Sequence, residues 1–396
     1  MQLNPRDMLN NDAFDYVTKR LELEGFEAFA VGGCVRDAVR GVPFNDVDIA
    51  TNARPHDLTK AMGVGQQWDG DGKPREGFHG VKLYPTGVAH GTWTVRVGEY
   101  NVEVTTFRKD VATDGRRATV EFADTIAVDA QRRDFTMNAL YMNRRGAVYD
   151  PTGTGVLDLQ QGVVRFVGDA DARVKEDYLR ILRLFRFHAR FGRGPMDRDA
   201  WEAAKRGAAK MMENVSGERV WDELKKLLSL HNPMDALLEM AATGVLYEVF
   251  GRRKVSETFF HVMAGERNTN TKPDSMARYV ALRGDGSIPY PASNAEKKVT
   301  EAMWASIQDP DVSNTAACAH KYGSDAAVFR GFFFNSTVKL SEVQRGVVAK
   351  MPLTAADLME IGREGKMLGQ ALEIAKACWY ATDLRASKET LLSVAR

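Results

Sequence analysis

Apolar and polar positions along this 396-residue chain change period several times, and the changes predict its elements. Phe14, Val17, Leu21 and Leu23 recur at helical spacing and predict a lead-in helix within 1–27, before Gly25. The apolar run 29–31, with Phe26 and Ala28 ahead of it, predicts a buried strand. Gly32 and Gly33 follow, then helix formers over 35–40, then a second strand carrying Asp46 and Asp48. Residues 51–62, opened by Asn52 and Pro55, read as a capped helix. Residues 63–80 are rich in glycine and charge and predict a loop or hairpin tip. Strands resume at 81–83, 92–97 and 101–107; in the last, Val102 and Val104 point inward and Glu103 and Thr105 take the other face. Residues 108–131, basic then acidic, read as a surface loop, and 132–141 as a helix start with Asp134 early and Phe135, Ala139 and Leu140 facing in. From 171 the period is helical, with 263–297 as a candidate linker. The whole reads as α+β: a mixed sheet flanked by helices, then helices to the end.

The chemistry concentrates in 29–51. A strand, two glycines and a helix start make an anion site, because glycines let a phosphate approach and the helix start points N–H groups at it. Arg36, in the first turn, adds a fork that fits phosphate oxygens. On a strand, Asp46 and Asp48 project to one face, separated by roughly 6–7 Å of backbone. Two such carboxylates repel unless a cation lies between them, and hard oxygen ligands suit Mg²⁺. Glu103 is a candidate third carboxylate, or else a solvent-facing strand residue. A phosphate grip beside a paired-Asp metal site is equipment for phosphoryl or nucleotidyl transfer.

The ordered combination GGxVRD–x8–DxD resembles the head-domain signature of the polymerase beta nucleotidyltransferase superfamily. Within it, the chain is similar to the class II tRNA nucleotidyltransferases (CCA-adding enzymes) and the bacterial poly(A) polymerases. The segment RRDFTMNALY resembles the family's second motif, so the resemblance implies that Arg133, Asp134 and Asn138 reach ribose and phosphate. Glu176, Asp177, Tyr178, Leu179 and Arg180 match its EDxxR motif, and GERVWDELKKLL its next motif helix. Beyond the motif, Arg183, Arg186 and Arg190 continue a ribbon that on residues alone also fits a solvated helix face. The resemblance implies nucleotide binding by Gly32, Gly33, Arg36, Arg133, Asp134, Asn138, Asp177, Arg180, Arg183 and Arg186, and metal binding and catalysis by Asp46 and Asp48, with Glu103. It implies CTP, ATP and tRNA as partners, a flexible loop over 108–131, and four parts: head 1–150, neck 151–232, body 233–350 and a tRNA-holding tail 351–396. Poly(A) addition on the same head, and an inactive RNA-binding relative, are the competing readings; intact Asp46 and Asp48 speak against the second.

Composition adds little to this. Net charge is +1, so an RNA-binding surface has to be local. Cys34, Cys318 and Cys378 are an odd, scattered set, which suggests neither disulfides nor zinc and fits a reducing compartment. No signal-peptide core and no run of membrane-spanning length is visible, and the expected location is the cytoplasm.

Overall fold

The computed structural model describes residues 12–44, 46–63, 80–87, 91–113, 118–312 and 314–396. The chain forms two compact units, Met1–Val215 and Ser216–Arg396. The glycine-rich insertion expected at 63–80 falls almost wholly outside the described residues.

In the first unit, α1 (Asp12–Leu23) buries Phe14, Val17 and Leu21 completely. Leu23, at the end of the helix, is 67% exposed. Next come β1 (Ala28–Val31), α2 (Gly33–Val39), β2 (Asp48–Thr51) and α3 (Pro55–Ala61). The strands β3 (Lys82–Gly87), β4 (Thr92–Val97) and β5 (Tyr100–Thr106) follow, and β8 (Tyr141–Met142) and β9 (Val148–Tyr149) complete one sheet in the order β3-β4-β5-β2-β1-β8-β9. Among the described residues only β2 and β5 run parallel; every other pair is antiparallel. Ile49 and Val104 are completely buried, and Phe29 stacks near Phe107 beneath the sheet with ring centroids 6.3 Å apart.

Two local expectations are corrected. Residues 108–131 are not a plain loop: β6 (Arg108–Thr113) and β7 (Ala118–Phe122) pair as a separate antiparallel hairpin. Helix α4 (Ile126–Gln131) follows, capped by the Thr125 hydroxyl accepting from the Val128 N–H. Residues 132–141 are not an α-helix either. A single 3₁₀ turn, Thr136–Asn138, leads straight into β8. Tertiary bonds impose this: the Thr136 N–H donates to Arg165 O, and the Val167 N–H to Asp134 O. Helices α5 (Gly155–Gln161), α6 (Ala170–Glu176), α7 (Leu179–Phe191) and α8 (Arg198–Asn214) close the unit.

The second unit is helical among its described residues. Its first helices are α9 (Gly217–Leu228), α10 (Met234–Thr243), α11 (Val245–Phe250), α12 (Glu257–Thr269), α13 (Ser275–Arg283) and α14 (Asn294–Gln308). The stretch 263–297 is therefore no linker; it holds the end of α12, all of α13 and the start of α14. Buried Trp221 lies edge-on to Tyr279 at 4.9 Å. Beside it, Arg278 donates through Nε and Nη2 to Glu266 Oε2, and through Nη1 to Leu228 O at 2.8 Å. It thereby supplies a carbonyl at the end of α9 that no helical N–H reaches. Further helices, α15 to α20, run from Thr315–Tyr322 to Lys388–Ala395. Among the described residues no helix is long and apolar enough to cross a membrane.

Candidate active site

The site is built where β1 turns into α2. Gly32 has φ 77° and ψ −124°, a conformation that strains any side-chain-bearing residue. Its N–H donates to Leu140 O and its carbonyl accepts from the Arg36 N–H, so the turn is pinned on both sides. A Cβ on Gly32 would lie 3.5 Å from Arg133 Nη1, which puts that guanidinium against the turn. Gly33 starts α2.

The carboxylates come from the sheet centre. In the β2–β5 register Asp48 is the direct partner of Glu103, on strands about 4.8 Å apart. Asp46 lies two residues ahead of β2 rather than in it, so the same-face argument from strand geometry holds for Asp48 and Glu103 instead. All three residues are exposed. The Asp48 carboxyl is pushed up to about 6, first by loss of surrounding water and then by the Glu103 charge; Arg133 pulls it back and Asp46 adds to the push. Of these causes, the crowding of negative charge is the part that a bound cation reverses. Among the described residues no three His, Cys, Asp or Glu side chains are gathered as a ready-made cage. The donor set is nonetheless hard oxygen, and fits an ion that keeps several waters and takes substrate phosphates as its other ligands. Beneath it, the buried Cys34 thiol is pushed up to about 11 by burial and donates to Val31 O, so it is an inert packing group.

The arginines are less open than the pattern suggests. Arg36 does not present a free fork to phosphate. Its Nε and Nη2 grip Asp37 at 2.9 and 3.0 Å, Nη1 donates to Asn138 Oδ1 at 2.8 Å, and the group lies 4.4 Å from the Phe191 ring centre. Arg133 is bound through Nε and Nη2 to Asp129, and its Nε also reaches the Tyr141 hydroxyl. Asp134 does not point at an open ribose site: it accepts from Asn138 Nδ2, the Phe135 N–H and Arg183. Burial alone would raise the Asp134 carboxyl, but Arg183 and these hydrogen bonds hold it below its ordinary value. Arg186 sits 4.5 Å over Phe187.

Asp177 and Arg180 are not i,i+3 neighbours on one continuous helix. Asp177, at φ −154° and ψ 102°, ends α6, and its carboxylate accepts the Leu179 N–H at the start of α7. Arg180 Nη1 donates to Glu176 Oε2 at 2.6 Å and to Arg173 O, and Nη2 to Arg132 O. Three of its five donors are thus engaged, and the guanidinium is held in one pose beside the break.

Sequence reasoning missed Asp129, which is completely buried. It accepts from Arg132, Arg133 and Tyr141 and ties α4 to the glycine turn. Its place four residues before Arg133, an i,i+4 acid–base pair, was the available signal. Burial alone would raise its carboxyl, but Arg133, Arg132 and the Tyr141 hydroxyl hold it down at about 2, below the ordinary carboxylate range. A depressed carboxyl stabilises above its unfolded value and loses that contribution as pH falls toward its folded one. Asp129→Asn should therefore destabilise by about 1–3 kcal/mol at pH 7, and the gap should close as the pH falls from about 4 to 2. Urea titrations at both ends test this; a variant as stable as the parent at pH 7 would remove Asp129 from the role.

Comparison with known proteins agrees with this geometry. Residues 28–165 match the poly A polymerase head domain, and residues 196–252 the probable RNA and SrmB-binding site of polymerase A. The chain is 30% identical to the mitochondrial CCA tRNA nucleotidyltransferase 1 of Danio rerio, over 99% of this chain and 93% of that one. It is 34% identical to the CCA-adding enzyme of Streptococcus sanguinis over 67% of this chain and 63% of that one. The fold matches the Bacillus stearothermophilus CCA-adding enzyme crystallised with CTP at a TM-score of 0.71, 24% identity and 96% coverage of both chains. The chain belongs to the CCA-adding tRNA nucleotidyltransferases, on a poly(A) polymerase-type head.

Proposed function

We propose that the protein adds CCA to the 3′ end of tRNA, using CTP and ATP and releasing pyrophosphate. The observation that carries the chemistry is the parallel β2–β5 register, which sets Asp48 beside Glu103 next to the Gly32–Gly33 turn. Asp46 and Asp48, with Glu103 alongside, would hold two Mg²⁺ ions, which when bound activate the RNA 3′-hydroxyl and neutralise the triphosphate. The chain's own groups do the rest. N–H groups at the start of α2 face the incoming phosphates, and Arg133, braced by Asp129, puts a fixed positive charge beside Asp48 and the turn. Arg36, Asp134, Asn138 and Arg183 form one bonded chain from α2 to α7 and hold these parts in register. The four-part reading of head 1–150, neck 151–232, body 233–350 and tail 351–396 stays our functional division, with the tail as the tRNA-holding part. Three free cysteines support a reducing compartment, and we place the protein in the cytoplasm.

Base choice falls to Asp177 and Arg180. A carboxylate offers only acceptors and a guanidinium only donors. Cytosine and adenine each show an amino donor beside a ring acceptor, and so meet the pair with matched polarity. Uracil and guanine reverse that order, and each mismatched buried group costs about 1–3 kcal/mol. The anchoring of Arg180 by Glu176 and two carbonyls supports a rigid template. The test supplies a tRNA lacking its CCA end with each of the four nucleoside triphosphates separately, to parent and Asp177→Ala. The parent should use CTP on that tRNA, and ATP once after the CTP reaction; the variant should lose CTP and ATP use and narrow the gap to UTP. Long tails from ATP alone would replace this reading with poly(A) addition, and no incorporation at all would leave an RNA-binding relative.

A further inference from the structure

We propose that Arg40 and Arg190, mounted around the Phe191 ring, form a phosphate site separate from the glycine turn, which takes a backbone phosphate of the RNA acceptor strand. Three guanidiniums surround this one buried phenyl ring: Arg36 at 4.4 Å from its centre, Arg40 at 4.9 Å and Arg190 at 4.9 Å. One carboxylate, Asp37, pairs with two of them. It is gripped by Arg36 through two bonds and only approached by Arg190, at 3.8 Å. Among the described residues Arg40 has no carboxylate within ion-pair distance. The ring and Arg36 are buried, whereas Arg40 is exposed and the Arg190 side chain is 45% exposed. Two positive charges therefore face solvent on an apolar mount, with their compensating acid already occupied.

Like charges held this close repel one another. The Arg190 guanidinium is pushed below its ordinary value, first by burial and then by Arg36, Arg186 and Arg40, with Asp37 opposing. A bound phosphate anion would relieve that repulsion, and forked guanidiniums suit phosphate geometry. The phosphate is not one that the glycine turn already holds. Arg40 lies seven residues beyond Gly33, about 10 Å along the helix at 1.5 Å per residue, past the first turn in which helix-start N–H groups act. Between the two places stands Arg36, whose fork is closed on Asp37. A single triphosphate on the turn is not handed across by that side chain, whereas a second polyanion, the RNA strand, reaches the patch independently. The structural alternative is plain: Arg40 caps α2 and Arg190 lies in the last turn of α7, where helix dipoles favour cations.

The inference rests on the CCA-adding reading for the identity of the RNA, so its test is binding without nucleotide. Fluorescence anisotropy with a tRNA lacking its CCA end, over a series of KCl concentrations, compares the parent with Arg40→Gln/Arg190→Gln and with Arg40→Lys/Arg190→Lys. The Gln pair should weaken binding by about tenfold and make the log–log salt dependence shallower by about one. The Lys pair, which keeps the charge, should recover most of the affinity and guards against a folding defect in the Gln pair. KM for CTP should stay at the parent value. Unchanged RNA affinity and salt slope would overturn the site, as would a rise in KM for CTP with tRNA binding intact, which would assign the patch to the triphosphate. A parent that binds tRNA but incorporates nothing would overturn the activity and leave the phosphate site standing.

Discussion

Asp48→Ala should lower nucleotide incorporation on the order of a thousandfold, the scale at which preorganised charge at a reacting centre acts, without lowering the melting temperature in metal-free buffer. Both halves follow from one observation. Asp48 lies in register with Glu103 and near Asp46, and its carboxyl is pushed up to about 6 by lost hydration and by Glu103. Removing it relieves repulsion in the metal-free protein while taking away a ligand that the loaded protein needs. Asp46→Ala should behave in the same way. Calorimetry with and without MgCl₂ gives a second reading: the parent should gain more from the ion than either variant, since a ligand that binds only the native state stabilises it. Parent-like turnover in either variant would sink the assignment. A large fall in melting temperature would convert the loss of activity into a folding effect.

The largest loss of stability should come from the second unit. Arg278 and Glu266 are 2% and 4% exposed, and Arg278 also donates to Leu228 O at the end of α9. Glu266 Oε1 accepts the Asp274 N–H just before α13. Removing one member leaves the other charge buried and unpaired, which costs about 3–5 kcal/mol. Arg278→Ala or Glu266→Ala should therefore shift urea unfolding, followed by tryptophan fluorescence, by that amount. The double replacement by Met and Leu should be much milder than either single change, because no charge is left stranded. A single variant within about 1 kcal/mol of the parent would contradict the brace, since ordinary surface changes stay within about half of that.

What could be read from the chain was what depends on near neighbours. The strand–glycine–helix turn, the alternation around Val102 and Val104, and the amphipathic period of α7 are all local patterns, and each is present. The misreadings share a different cause. Strands β6 and β7 pair only with each other, in a sheet of their own, so no place in the main sheet writes them into the sequence. The segment after Arg132 has helical apolar spacing, but Phe135 bridges to Phe166 and Thr136 bonds to Arg165, so tertiary pairing overrides it. The helical period from 171 runs through Asp177 and Arg180 without a visible stop, yet the helix breaks between them. The closure of Arg36 on Asp37 and Asn138 depends on a residue 102 positions away, beyond any local rule.

The β2–β5 register carries a further consequence, for quality control of the fold. Along β2 the exposed Asp48 is followed by the buried Ile49, and along β5 the exposed Glu103 by the buried Val104. A slip of one residue would exchange the faces, driving a carboxylate into the core and an isoleucine or valine into water. Misassembled heads would therefore betray themselves by instability before they could mishandle a nucleotide. The protein needs no separate safeguard for the alignment of its acidic residues: the same hydrophobic pair that seals the sheet vets the site, and molecules that survive to meet RNA have already passed that inspection.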